Sequence, residues 1–263
     1  MRLFKSFLPS FLRTSFPTAF PCVFEFWVAY DLGDSLLDSP QGKAAFEQFF
    51  FDRTRSINHG ALSCGNHSAS CISLKMRRFN NAHTLTALWN GLNEEAYQRG
   101  AHYFFMPNDD LLLITPHWPA VFMEILAGSP VFPNLGVTGP MDAVSGRGDM
   151  PSMPFIHRTH LDIFGGQTLP ISFQNWYNDI WLGNVYRPFL ACSMARSVRA
   201  LNHDGCVDAD ACSRYSLGQG AFAPWREETL EGRARVIEWL RSPVAAVQLH
   251  THTRTHTHTH THT

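Results

Sequence analysis

The amino-acid sequence predicts an α/β fold in three layers, a mostly parallel (mixed) sheet with helices on both faces. Three observations predict it. Short β-branched or aromatic runs alternate with stretches of helical spacing along most of the chain. Hydrophobic residues make up 44% of 263 and charged residues 16%, enough apolar material for one sizeable core, and twenty-one Phe and seven Trp make that core rich in rings. No internal repeat and no sharp interdomain linker divides the chain, so a single domain is expected.

In chain order, residues Met1 to Cys22 carry Arg2, Lys5 and Arg13, no acid, and Pro9, Pro17 and Pro21. The prolines exclude a continuous membrane-spanning helix, and the stretch reads as a targeting-like segment or an irregular start of the domain. Val23 to Tyr30 is strand-like and runs into a turn at Asp31-Leu-Gly-Asp34. Gln41 to Arg53 reads as a helix, and Asn58 to Ser73 as an exposed loop. A second helix is expected from His83 to Arg99, stopped by Gly100, then a short buried strand from His102 to Met106. Thr115 to Ala127 reads as a helix with Pro116 in its first turn, and Leu135 to Thr138 as a strand ending before Gly139-Pro140. Met150 to Ile156 leads into a helix that begins near His157 and ends at Gly165-Gly166, and Phe173 to Tyr186 is expected to be helical through Asp179 and Leu182. From Leu249 onward His and Thr alternate, a tract with no apolar face to bury and hence expected to be disordered. The expected organisation is thus an irregular start (1–22), one domain (23–248) and a low-complexity tail (249–263).

The net charge of −1 and the absence of a basic stripe give no argument for a nucleic-acid partner or an anionic membrane. Of the six cysteines, Cys64 with Cys71 and Cys206 with Cys212 are spaced to close small loops, either as local disulfides in a secretory lumen or as reduced, partly buried thiols. Asn66-His67-Ser68 is a glycosylation sequon, and Arg147-Gly-Asp149 reads as an incidental tripeptide in a Gly-rich loop.

The stretch that carries chemistry is Asn108-Asp109-Asp110, placed after an apolar strand and before Leu111-Leu-Leu-Ile114. Ligand crevices of open α/β sheets lie at the carboxyl ends of strands. Acids there present hard oxygen ligands to Mn²⁺ or Mg²⁺, and the metal then stabilises a diphosphate leaving group. An ordinary Asn/Asp turn is the plain alternative. His157 and His160 are too few for a zinc site, and Arg158 between them suits a phosphate. Trp118, Trp176 and Trp181 are candidates for stacking a sugar, with core packing expected for at least two of them.

Asn90, Ala96-Tyr97, Gly100-Ala101, Tyr103 and Asn108-Asp109-Asp110, followed by the segment from Phe155 to Gly166, resemble the core of the GT-A nucleotide-sugar glycosyltransferases. The resemblance covers roughly Val23 to Tyr215 and implies a GT-A/Rossmann-like fold. It implies transfer of a sugar from a UDP- or GDP-sugar to a glycan, protein or lipid acceptor, with Mn²⁺ or Mg²⁺ as cofactor, in the secretory pathway or Golgi lumen. It places Asp110, Asn108 and His203 at the metal, and Asp31, Asp34, Asn108, Asp109 and Arg158 at the donor. Asn178, Trp176 and Trp181 fall at the acceptor, with Asp179 as catalytic base. Asn108 and Asn178 stand where the family has acids, and the start of the chain does not read as the family's first strand, so a divergent, amino-terminally truncated member is expected. Readings of other classes are a non-catalytic nucleotide- or glycan-binding relative and a metal-dependent phosphoester hydrolase.

Overall fold

The β-branched and aromatic run after Cys22 forms β1 (Val23–Asp31), which pairs in parallel with β2 (Cys71–Phe79), from Val23 opposite Cys71 to Asp31 opposite Phe79. The computed structural model describes residues 3–16, 22–58, 70–80, 84–143, 150–202 and 224–249. A parallel pair needs a long crossover, and α2 (Pro40–Thr54) lies in it, capped by the Ser39 hydroxyl on the Gly42 amide. Beyond α2 the buried Asn58 side chain accepts from the Ile72 amide at 2.9 Å and donates to its carbonyl at 2.8 Å, which anchors the start of β2.

A second, five-stranded sheet has the order β3-β6-β5-β7-β4. Its strands are β3 (Tyr103–Phe105), β4 (Leu111–Leu113), β5 (Val137–Asp142), β6 (Phe155–His157) and β7 (Cys192–Asn202). β5 and β7 are parallel; the three-residue strands β3, β4 and β6 pair antiparallel with their neighbours. The chain is therefore mixed α/β, with parallel pairing confined to the two longest pairs, less than a mostly parallel sheet would have. β5 continues through Gly139-Pro140, where a break had been expected. Pro140 sits at a register shift, where the ladder has no need of its missing N–H, and a Cβ on Gly139 would lie 2.6 Å from the Met153 carbonyl.

Successive residues of β3 and β6 enter different cores. Tyr103, Phe105 and Phe155 join one cluster with Phe7, Leu8 and Phe11 of the amino-terminal helix, Phe46 and Phe50 of α2, and Trp118 and Phe122 of α4 (Trp118–Ala127). Phe104 and Ile156 join the other. That core is built from α3 (Leu85–Gln98), α5 (Arg158–Ile163), α6 (Asn178–Tyr186) and α7 (Trp225–Leu240). A short helix over 243–249 follows.

The start of the chain is a correction. Leu3–Phe7 forms a π-helical turn leading into α1 (Leu8–Ser15), and α1 packs into the core where an irregular start is one of the two readings of the sequence. Pro9 does not break it, because it occupies the first turn, where no amide needs an intrahelical partner. The Ser10 hydroxyl accepts from the Leu113 amide of β4 at 3.1 Å, and the Thr14 carbonyl accepts from His117 at 2.7 Å. Among the described residues no helix is long and apolar enough to cross a membrane. The sequon, Arg147–Asp149, Cys64, Cys206, Cys212 and residues 250–263 lie outside the described residues. Cys71 is disulfide-bonded, whereas Cys22 carries a thiol.

Candidate functional site

Topology alone gathers the site. β3 is antiparallel to β6, β6 to β5, and β5 is parallel to β7, so β3, β5 and β7 all point their carboxyl ends the same way. β3 and β4 are the two outer strands of the sheet, four strand steps apart, or ~19 Å at ~4.8 Å per step. The connection from Phe105 to Leu111 takes six Cα steps, an extended reach of ~20 Å, so it must cross the carboxyl end of the sheet almost directly. Residues 106–110 are that strap. The Met106 amide donates to the Pro154 carbonyl at the start of β6, and the Asn108 side chain reaches Asn202 Oδ1 at the end of β7, 3.4 Å away. The Asn202 amide in turn donates to Asp142 Oδ1 at the end of β5, at 3.3 Å. Asp110 directly precedes Leu111, whose backbone pairs with Asn202. Asn108, Asp110, Asp142 and Asn202 thus form a set of oxygen-bearing residues across three strand ends.

Asp109 is exposed on the strap and Asp110 half-buried. Asp142 is buried, which for a carboxylate demands partners. The segments that continue from this end, 144–149 and 203–223, lie outside the described residues, and His203 with them. Among the described residues no group of three or more His, Cys, Asp and Glu is arranged to hold a metal. The donor set on the strand ends is two carboxylates and two amide side chains, the hard oxygen chemistry that suits Mg²⁺ or Mn²⁺.

Asp31 and Asp34 lie at the carboxyl end of β1. α3 runs against β1: Arg99 at its end pairs with Glu25 near the start of β1 at 3.4 Å, while Arg77 near the end of β2 donates to the Gly91 carbonyl in its middle. The start of α3 therefore faces the carboxyl ends of β1 and β2. Asp31 is the last residue of β1. The Asp34 carboxylate is already engaged, accepting from the amides of Leu36 at 2.9 Å and Leu37 at 2.7 Å, so it shapes the turn. Asp38 closes the same turn on the Gly33 amide, and the hydrogen bond from Arg78 holds its carboxyl below the usual range.

Asn178 and Asp179 begin α6 beside the start of α3. There the Leu85 amide donates to Asn175 Oδ1 at 2.7 Å, and Thr86 donates to the Gln174 carbonyl at 2.8 Å. Asn178 is 4% exposed, and its side-chain oxygen lies 3.1 Å from the Thr86 hydroxyl. Asp179 is half-buried, with Oδ1 accepting from the Ile180 amide. Its place in the first turn sets a negative charge at the positive end of the helix.

One assignment does not survive, and Arg158 lies at the other end of β3. Trp181 is 2% exposed, its indole N–H donates to the Glu228 carbonyl at 3.0 Å, and its ring packs on Phe164 and Phe173. It joins α6 to α7 and cannot wall an acceptor; Trp118 is core in the same way, and Trp176 is the exposed one at 40%. Arg158 begins α5 at the amino end of β3, where its amide donates to the His102 carbonyl and its guanidinium lies 5.0 Å from the Tyr97 ring centroid. That is the end of β3 opposite the strap. Arg158 supports the Tyr97 hydroxyl, which donates to Asp162 at 2.6 Å.

The two histidines near it are structural. His157 caps α5 by accepting from the Thr159 amide. His160 is fully buried between the Tyr186 hydroxyl at 2.7 Å and the Thr168 carbonyl at 2.8 Å. Because the carbonyl can only accept, Nε2 carries the proton and Nδ1 accepts from Tyr186. Burial lowers the His160 pKa to about 4 and raises that of Tyr186.

Sequence reasoning missed Asp142 and Asn202. Asp142 was hidden because Gly139-Pro140 reads as a strand stop, and Asn202 because β7 has no place among the elements read from the sequence. Against known proteins, no family model matches the chain, and no curated protein matches it.

Proposed function

We propose that this chain is a metal-dependent glycosyltransferase of the GT-A type, moving a sugar from a nucleotide diphosphate donor to an acceptor. The observation that carries the reading is the strap itself. Residues 106–110 cross the carboxyl end of the sheet and meet Asp142 and Asn202 there, so the acids stand where an open α/β sheet takes ligands. Mn²⁺ or Mg²⁺ would be held by Asp110 with help from Asp142, Asn108 and the diphosphate, with His203 one residue beyond Asn202 in sequence. When bound, the cation neutralises the diphosphate as it leaves. The two cores on opposite sides of β3 and β6 support a three-layer, Rossmann-like arrangement. Asp179, at the start of α6 beside the start of α3, is the candidate base for the acceptor hydroxyl.

The test is thermal. Mn²⁺ together with UDP or GDP should raise the melting temperature more than the sum of each alone, since metal and diphosphate complete each other's site. Asp110→Ala should remove that synergy while leaving the unliganded protein folded. Equal synergy in the variant would remove the strap from the site. Donor hydrolysis that no acceptor diverts would favour a phosphoester hydrolase, and donor binding without any turnover a non-catalytic relative.

A further inference from the structure

β1 and β3 lie in one layer without pairing. Both separate the same two cores: Phe26 and Val28 of β1 share one with Tyr103 and Phe105 of β3, and Trp27 shares the other with Phe104. They run the same way, because α3 returns along β1 to bring Arg99 to Glu25, and β3 follows α3 directly. Burial raises the Tyr103 pKa and the Cys22 thiol raises it further, which sets the start of β1 within electrostatic range of β3. Yet the two strands belong to different hydrogen-bonded sheets, and each is an outer strand of its own.

The ladders decide which main-chain groups line the groove between them. The Cys71 amide donates to the Cys22 carbonyl and the Leu32 amide to that of Phe79, so the even residues of β1 face β2. Glu25, Trp27 and Ala29 therefore turn their N–H and C=O groups away from β2. On β3 the His102 carbonyl accepts from Arg158 and the Met106 amide donates to Pro154, both on the β6 side. Tyr103 and Phe105 therefore turn theirs away from β6. β2 lies on the far side of β1, with its own outer edge taken at Ile72 by the Asn58 side chain. Among the described residues nothing hydrogen-bonds the main chain of Glu25, Trp27, Ala29, Tyr103 or Phe105, and all five are half-buried. Two open rows of this kind are a template for a strand.

We propose that the groove between β1 and β3 receives a β-strand of a partner polypeptide, mainly apolar and parallel to both. Only an extended backbone offers donors and acceptors on two opposite edges at every second residue, ~6.6 Å apart. Cores on both faces call for an unbroken apolar run of the kind Val and Ile supply. None of the segments 17–21, 59–69, 81–83, 144–149, 203–223 and 250–263 contains four successive hydrophobic residues, and the described strands are already paired. The strand therefore comes from another polypeptide. Such binding does not depend on sugar transfer.

The probe is fluorescein-labelled Lys-Val-Ile-Val-Val-Ile-Lys amide, titrated with the full chain by fluorescence anisotropy. Saturable binding is expected, with the amides of Glu25, Trp27, Ala29, Tyr103 and Phe105 becoming ~10-fold or more protected from hydrogen exchange. The same peptide N-methylated at alternate residues cannot donate to one edge and should bind ~10-fold or more weakly. Ala29→Pro removes a donor that faces the groove and leaves the β1–β2 bonds in place, so the chain should stay folded and lose affinity likewise. Absence of saturation, equal binding of the N-methylated peptide, or binding that leaves the five amides unprotected overturns the groove. Should Ala29→Pro lower the melting temperature, the N-methylated peptide decides on the intact chain.

Discussion

His160 is held in one tautomer by groups on both sides, and its neutral form is the only one the core accepts. Its proton comes on near pH 6.5 in the unfolded chain and at about 4 in the folded one. The stability it contributes is therefore complete above pH 6.5 and is lost as pH falls towards 4, about 3 kcal/mol in all. Urea melts at pH 7 and pH 5 should differ by about 2 kcal/mol from this source, and His160→Gln should be less stable at pH 7 but flatter with pH. An unchanged slope would assign the dependence to other groups. Asn90 offers a comparable test: its Oδ1 accepts from the amides of Thr168 and Leu169, and its Nδ2 donates to the Leu169 carbonyl. Asn90→Ala strands three backbone groups and should cost about 2–4 kcal/mol by chemical denaturation. Asp179→Asn keeps the shape of the helix start while removing the base. It should leave donor binding intact and lower turnover by ~100-fold or more, whereas lost donor affinity would make Asp179 a binding residue.

At the scale of elements, α1 and α3 carry the placement of the site. α1 supports β4, and hence the far end of the strap, through Ser10 on the Leu113 amide and through Leu8, Phe7 and Phe11 in the core. Leu8→Ala should cost about 2–5 kcal/mol, as for other fully buried leucines, and removal of residues 1–16 should abolish the cooperative melt. A truncated chain that melts as before would return this stretch to the role of an appendage. α3 ties both halves together, reaching Glu25 of β1 from its end and Gln174 and Asn175 from its start. The first residues of β2, Cys71–Ser73, read as the end of a Ser- and Cys-rich loop, and Lys75, Arg77 and Arg78 mask the strand pattern of the rest. Those charges point to partners that sequence does not display: Glu25, Glu95 and Asp38.

For the whole molecule, the described residues end on the helix over 243–249, whose Ala245 is buried and whose Gln248 approaches Asp162. The His-Thr tract beyond it has nothing to bury, so deletion of residues 250–263 should leave the melting temperature unchanged, and a large drop would show packing on the domain. The alternation of apolar runs and helical spacing was enough to determine the α/β class, α2, α3, β1 and the acidic run at a strand end, because each depends on local propensity and period. Asp34 as a turn former and two buried tryptophans were within reach of the same reasoning. Strand order was not, since pairing is decided between segments far apart in the chain. Only the tertiary structure brought Asn202 to the strap and Asp142 to Asn202, set Arg158 at the other end of β3 and decided which of the three tryptophans is exposed. The physical reason is that a side chain's chemistry is read locally, whereas its burial and neighbours depend on which strands lie side by side.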